Sequence, residues 1–114
     1  MDVKRKKELL DEWKNRRPEM GIITIRCKNT GDLFAGISKD TQVEFNSQRF
    51  KLSANLHPNK QLQKLWEQYG ETEFVYTVVK VLKYEDPEED QADKLMALLD
   101  EYLTEMPQAR RLSR

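Results

Sequence analysis

Residues 20–38 read MGIITIRCKNTGDLFAGIS, and this stretch predicts a β-hairpin. Residues 21–27 and 33–38 form two runs rich in β-branched and apolar side chains, which favour strands. The polar segment KNTGD between them supplies residues that tolerate the positive φ that hairpin turns often need. Two glycines, Gly21 and Gly36, stand near the outer ends of the runs. They are explained either by close packing of the strands or by a functional site.

Local signals predict three elements after the hairpin and one more at the end. Residues 41–53 and 60–69 carry apolar side chains at helical spacing, and a glycine follows the second helix. The run FVYTVVKVL at 74–82 is the strongest strand signal in the chain. A last helix is expected to start at Asp86, as its N-cap, and to end before Pro107.

The first of these helices is expected to bury one side. Phe45, Leu52 and Leu56 recur on that side, and Val43 and Phe50 lie nearby in the sequence. We therefore expect Phe45, Leu52 and Leu56 to form the apolar face of the helix.

The beginning of the chain also predicts a helix. Leu9, Leu10 and Trp13 form a short apolar face within residues 2–16, surrounded by charged side chains. Pro18 ends this helix because the residue before a proline avoids helical angles.

Together these elements predict an α+β fold with a small three-stranded, mainly antiparallel sheet flanked by helices and an extra N-terminal helix. The expected division of the chain is an N-terminal helix at 1–18, a domain at 19–106 and a loose basic tail at 107–114. A length of 114 residues suits one such domain.

Composition narrows the class of protein. No apolar run approaches the roughly 20 residues of a membrane span, and the charged N-terminus does not resemble a secretory signal. Cys27 is the single cysteine, so no disulfide forms within the chain. A cytoplasmic protein without a membrane partner is the expectation.

Charge is distributed unevenly although the formal net charge is zero. Residues 1–17 hold seven Lys and Arg against four Asp and Glu, whereas residues 84–106 hold one against nine. Nucleic-acid affinity comes mostly from Lys and Arg against phosphate. Because the domain is only mildly basic, the composition does not indicate tight, general DNA binding.

Several short motifs occur in a recognisable order. GII at 21–23 is followed by FAG at 34–36, HPNKQLQKLWEQYG at 57–70, the strand at 74–82 and an acidic helix. This order resembles the GIY-YIG nuclease superfamily over most of the chain, roughly residues 21–102. The resemblance implies the α+β fold of that superfamily, and it implies descent from enzymes that hydrolyse phosphodiesters with one divalent metal.

The resemblance also assigns roles to positions. The two motif tyrosines fall on Ile23 and Phe34, which have no hydroxyl, and the functional arginine falls on or next to Glu44, whose charge repels phosphate. The metal-binding glutamate falls on or near Asp93, with Asp90 as a rival. His57 and Asn59 match the polar residues that precede the family's Leu-Gln pair, and they are the retained catalytic candidates.

Each retained candidate has a simpler explanation. His57 is either a catalytic remnant or a residue that hydrogen-bonds locally before Pro58. Asp93 either binds a metal or is a solvated residue of an acidic helix. The basic run at residues 4–7 either touches phosphate or forms a solvated helix face.

The sequence therefore predicts a GIY-YIG-like domain that has lost catalysis, needs no cofactor and acts as a binding or scaffolding module. Its partner is either nucleic acid, bound weakly, or a protein that docks on the N-terminal or the acidic last helix. The alternative is a divergent Mg²⁺-dependent endonuclease with Asp93 on the metal and His57 as general base. The candidate nucleic-acid contacts are Lys4, Arg5, Lys6, Lys7, Arg16, Arg17, Arg49, Lys51, Lys60 and Lys64.

Overall fold

A computed structural model describes residues 18–86 and 88–112 of the chain. The N-terminal helix predicted at 1–18 therefore lies outside the described residues, apart from Pro18. None of the described helices is long and apolar enough to cross a membrane. In chain order, the elements are β1 Met20–Cys27, β2 Leu33–Ser38, α1 Thr41–Ser53, α2 Lys60–Tyr69, a short 3-10 turn Glu71–Glu73, β3 Phe74–Leu82, α3 Ala92–Glu105 and β4 Ala109–Arg111.

The predicted hairpin is present. β1 pairs antiparallel with β2, from Gly21 opposite Ser38 to Arg26 opposite Leu33. The turn closes where the Gly31 N–H donates to the Cys27 carbonyl at 2.8 Å, with Gly31 at φ +81°. That dihedral lies in the left-handed region, which glycine adopts without a steric cost.

Among the described residues, the sheet has four strands in the order β3-β1-β2-β4, one more than the sequence predicts. β1 lies between β2 and β3 and is antiparallel to both, whereas β4 runs parallel to β2. The α+β class and the flanking helices are confirmed, and the sheet is mixed rather than purely antiparallel.

The fourth strand shows that the prediction of a loose tail is wrong for residues 109–112. Leu112 is buried and donates its N–H to the Ala35 carbonyl at 2.7 Å. Gly36 makes room for it, because a Cβ built on Gly36 would lie 3.1 Å from the Leu112 side chain. A strand of three residues whose partner lies more than seventy residues away leaves no local pattern in the sequence.

Two cores lie on opposite faces of the sheet. On one face, Ile23, Ile25 and Phe34 pack with Leu52 of α1 and Leu62 of α2. On the other face, α3 packs through Leu99 and Tyr102 against alternate residues of β1 and β2, which are Ile22, Leu33 and Ala35. The alternation follows from the period of two along a strand, which sends neighbouring side chains to opposite faces.

The last helix begins at Ala92, six residues later than Asp86, the predicted N-cap. The Asp86 carboxylate instead accepts the Glu88 N–H at 2.9 Å, which forms a local turn. Asp90 accepts the Ala92 N–H at 3.0 Å and so stabilises the true helix start. The acidic run is thus a loop before the helix, because Asp side chains compete with the backbone for its own hydrogen bonds.

Helix α1 buries two of the three residues expected on its apolar face. Leu52 is buried and Phe45 packs against the first core. Leu56 is exposed, as are Val43 and Phe50 nearby. The prediction is wrong for Leu56 because the helix ends at Ser53 and Asn55, at φ +60°, turns the chain out of the helical path.

Gly21 lies where two backbones meet most closely. A Cβ built there would be 2.0 Å from the Lys80 carbonyl oxygen of β3, next to the register shift at Ile22 and Ile23. Both hairpin glycines are therefore explained by close packing, Gly21 against backbone and Gly36 against the Leu112 side chain.

We expect the two glycines to differ in tolerance to alanine. Gly21→Ala pushes a methyl group into a carbonyl that cannot move without disrupting the sheet, so it should lower the free energy of unfolding by about 3 kcal/mol or more. Gly36→Ala places its Cβ 3.1 Å from the Leu112 Cβ and Cδ2, so Leu112 must shift by a few tenths of an ångström. This cost is partly offset by the lower entropy of the unfolded chain, so the loss should be smaller, within about 1 kcal/mol. Urea denaturation of both variants measures the difference, and equal losses would contradict this account of Gly21.

Candidate functional site

Ile23 and Phe34, the positions that the resemblance matches to the motif tyrosines, are buried in the core. Ile23 is 0% exposed and Phe34 is 1% exposed. Ile23 pairs with Gly36, and Phe34 pairs with Ile25, on the two central strands. Both side chains contribute apolar packing, and neither has a polar atom to offer a substrate.

Glu44, on or next to which the resemblance places the family's arginine, begins a chain of hydrogen bonds. Its carboxylate accepts from the Gln48 side-chain nitrogen, one helical turn along α1, at 3.4 Å. Because a carboxylate only accepts, the Gln48 amide must turn its nitrogen toward Glu44 and its oxygen away. That oxygen bonds with Nε2 of His57.

The second ring nitrogen of His57 is also engaged. The Asn59 backbone N–H donates to Nδ1 at 3.0 Å, so Nδ1 has no proton and the neutral ring carries its proton on Nε2. Burial lowers the pKa of His57, and the positive charge of Lys51 lowers it further. His57 is therefore held neutral, with each ring nitrogen on a protein partner.

Asn59 and Gln63 fix the same loop from the α2 side. The Asn59 side-chain oxygen accepts the Leu62 N–H at 3.1 Å, which makes Asn59 the N-cap of α2, and its nitrogen donates to the Leu112 carbonyl at 3.0 Å. The Gln63 oxygen accepts the His57 N–H at 3.2 Å, and its nitrogen donates to the Leu52 carbonyl at 3.0 Å. These bonds join α1, α2 and the chain after β4.

Gln48 and Gln63 were missed as site residues in the sequence. A signal for Gln48 was available, since Glu44 and Gln48 are four residues apart and side chains at that spacing meet on a helix surface. Gln63 belongs to the quoted HPNKQLQ segment, but its role depends on Leu52, eleven residues earlier.

The carboxylates proposed for a metal lie elsewhere. Asp93 is exposed in the first turn of α3, on the helix that packs against the opposite sheet face from α1. Asp90 is committed to the Ala92 N–H and lies 4.0 Å from the Lys39 ammonium. Within residues 18–86 and 88–112, no three His, Cys, Asp or Glu side chains are grouped to hold a metal ion. Because Mg²⁺ is commonly held by one or two carboxylates together with water and substrate phosphate, the exposed Asp93 is left as the candidate ligand on or near the matched position.

Four of the ten candidate nucleic-acid contacts can be placed. Lys60 and Lys64 are exposed one turn apart on α2. Lys51 lies close enough to His57 to act on its pKa. Arg49 packs over the Tyr76 ring, with the guanidinium carbon 4.5 Å from the ring centre. The other six lie outside the described residues, at Lys4, Arg5, Lys6, Lys7, Arg16 and Arg17.

The two helical layers differ in charge. Residues 41–69 hold four Lys and Arg against two Asp and Glu, whereas residues 92–105 hold one Lys against four Asp and Glu. Two of the α3 acids pair with Lys80 of β3, Glu101 at 3.2 Å and Glu105 at 3.3 Å. The α1 and α2 layer is therefore mildly basic, and the α3 layer is acidic.

The neutral state of His57 predicts a pH-dependent stability. Because its pKa is lowered in the fold, the unfolded chain takes up a proton below about pH 6.5 that the folded chain does not. The free energy of unfolding should thus be at its plateau above that pH and should fall as the pH drops below it, by at most about 1.4 kcal/mol per pH unit for one proton.

His57→Gln removes this proton while leaving every carboxylate in place. Urea denaturation of both proteins between about pH 8 and about pH 5 isolates the histidine. The variant should be less stable at neutral pH and should lose less stability on acidification. Parallel curves for the two proteins would show that the His57 ring titrates equally in the folded and unfolded chains.

Comparisons with known proteins identify the fold. No protein-family model and no curated protein matches the chain. Among solved structures, a mutant of the catalytic domain of the intron endonuclease I-TevI matches with a TM-score of 0.66 and 18% identity, over 78% of this chain and 84% of that one. The catalytic domain of the homing endonuclease I-TevI matches with a TM-score of 0.64 and 17% identity, over 83% of this chain and 99% of that one. The chain therefore shares the α+β fold of these two endonuclease domains, the GIY-YIG-like fold that the resemblance of its motifs implies.

Proposed function

We propose that this chain is a GIY-YIG-fold module that has no nuclease activity and binds nucleic acid weakly through the layer of α1 and α2. One observation carries the first half of this proposal. His57 and Asn59 are the polar residues that match the motif. Their side chains form hydrogen bonds with partners inside the fold.

Phosphodiester hydrolysis needs groups that the matched positions do not supply. A base or a base-orienting hydroxyl must act on the attacking water, and a cation must offset the charge that develops on the phosphate. Ile23 and Phe34 have no hydroxyl and are buried, and Glu44 puts a carboxylate where the family has a cation. For His57 to act as a base, Nε2 or Nδ1 would have to lose its present partner.

The second half of the proposal is supported by charge and by the fold. Lys60 and Lys64 are exposed on the mildly basic layer, and Lys51 belongs to the same layer. The two similar structures are catalytic domains of endonucleases. Because few cations are clustered there, affinity should be modest and should depend strongly on salt.

Nuclease activity is tested directly by nicking of supercoiled plasmid in Mg²⁺ or Mn²⁺. We expect no cleavage by the wild-type protein above that of a heat-inactivated sample, with an active endonuclease as positive control. Asp93→Asn keeps the size of the side chain and removes its charge. Cleavage by the wild type that Asp93→Asn abolishes would overturn the proposal in favour of a divergent metal-dependent endonuclease.

Binding is tested by fluorescence anisotropy with a labelled DNA duplex over a series of salt concentrations. Reversing two charges with Lys60→Glu and Lys64→Glu should weaken binding and should reduce the slope of log K against log salt by about 1.8, since each phosphate contact contributes about 0.9. Lys94→Glu is the matched control, because it makes the same charge change at an exposed position on α3.

The outcomes separate the two kinds of partner. A loss of affinity in the α2 variant but not in the Lys94→Glu control supports contact through the basic layer. Affinity that is insensitive to salt, or equally weakened by all three substitutions, would contradict it and would favour a protein partner, for which the acidic α3 is the surface to test.

A further inference from the structure

Helix α1 presents an apolar stripe away from the rest of the domain. Val43 is 56% exposed and Phe50 is 68% exposed, and they are seven residues apart, which places them on the same side of a helix. Leu56, just beyond the helix, is 69% exposed. The buried side of α1 carries Gln48 and Leu52, so the stripe faces the opposite direction. Val43, Phe50 and Leu56 are called the outer stripe below.

The chain before β1 is tied to the end of α1 where this stripe begins. The Glu19 carbonyl accepts the Thr41 N–H at 3.0 Å, and the Glu19 carboxylate accepts the Thr41 hydroxyl at 3.0 Å. The Pro18 carbonyl accepts the Tyr84 hydroxyl. The segment before Pro18 therefore connects to the fold beside the first turn of α1. Thr41, the residue that Glu19 contacts there, is two residues before Val43.

That segment has the composition to cover the stripe. Residues 1–17 predict an amphipathic helix with Leu9, Leu10 and Trp13 as its apolar face. Seventeen helical residues span about 25 Å, and the eleven helical residues from Val43 to Ser53 span about 16 Å. Such a short helix gains most of its stability from packing its apolar side against another surface.

We propose that residues 1–17 fold back along α1 and pack Leu9, Leu10 and Trp13 on the outer stripe of the same molecule. The attachment at Pro18 and Glu19 favours the same molecule over a second copy, since a short connection gives an effective concentration of about millimolar. Burial of Phe50 and Trp13 removes two large apolar side chains from water and orders the segment.

Trp13 fluorescence tests this packing in the full-length chain. Trp66→Phe leaves Trp13 as the only tryptophan, and the change is mild because Trp66 is only partly buried beside Phe74. We expect blue-shifted emission and protection from acrylamide relative to the same protein in urea. Emission and quenching equal to those in urea would overturn the proposal.

Two substitutions in this background identify the surface. Phe50→Ser should shift the Trp13 emission to the red and should increase quenching, and Val43→Ser should do so to a smaller extent. Val81→Ser is the matched control, since Val81 is 55% exposed on β3 and loses the same atoms as Val43→Ser. An unchanged Trp13 signal in Phe50→Ser, or an equal change in Val81→Ser, would contradict the assignment.

Light scattering and dilution separate one molecule from two. A monomer whose Trp13 emission does not change on dilution supports packing within one chain. A dimer that dissociates in Phe50→Ser would show that a second copy covers the outer stripe and would overturn the proposal. Because these readouts use no nucleic acid, they succeed or fail independently of the binding proposed above.

Discussion

The hydrogen-bonded segment at residues 57–63, which is the loop before α2 and the first turn of that helix, joins three parts of the fold. It fastens α1 through Gln48 and Leu52, α2 through the Asn59 cap, and the end of the sheet through the Leu112 carbonyl. Buried polar groups carry a large cost when they lack partners, so a network of this kind is stable only when it is complete. The loop therefore constrains the residue types at several positions at once.

This constraint accounts for the polar residues at 57–63 without any role for a substrate. Removal of His57 or Asn59 would leave backbone or side-chain groups without partners. Ile23 and Phe34, the positions that the resemblance matches to the motif tyrosines, fill the core with apolar side chains. A fold does not determine a function, so the likeness to endonuclease domains does not by itself assign chemistry to these residues.

Elements with strong local signals could be predicted from the sequence. The bounds of α1, α2, β2 and β3 agree with the expectations, because helix periodicity, caps and β-branched runs are read within ten or so residues. β4 could not be predicted, since its existence depends on Gly36 and Leu112, which meet only in the folded chain.

The other errors of the sequence prediction also arise from interactions that a local sequence pattern does not show. The start of α3 depends on whether Asp86 and Asp90 cap a helix or close local turns, which are nearly equal choices for an aspartate. The exposure of Leu56 depends on the end of α1 at Ser53, after which Asn55 at φ +60° redirects the chain. At the site, His57 and Asn59 could be singled out from the motif, but their partners could not, because Gln48 and Leu112 lie on other elements.

The partners of a motif residue's polar atoms indicate what that residue does in the fold. A side chain that serves a substrate must be able to exchange a partner for the substrate, whereas a structural residue keeps its donors and acceptors bonded within the fold. Both ring nitrogens of His57 have hydrogen-bond partners within the fold, and so do the oxygen and nitrogen of the Asn59 amide. Exposed charges such as Lys60, Lys64 and Asp93 keep their capacity for an outside partner, so any interaction of this domain with phosphate or with a protein should depend on them and not on the retained motif.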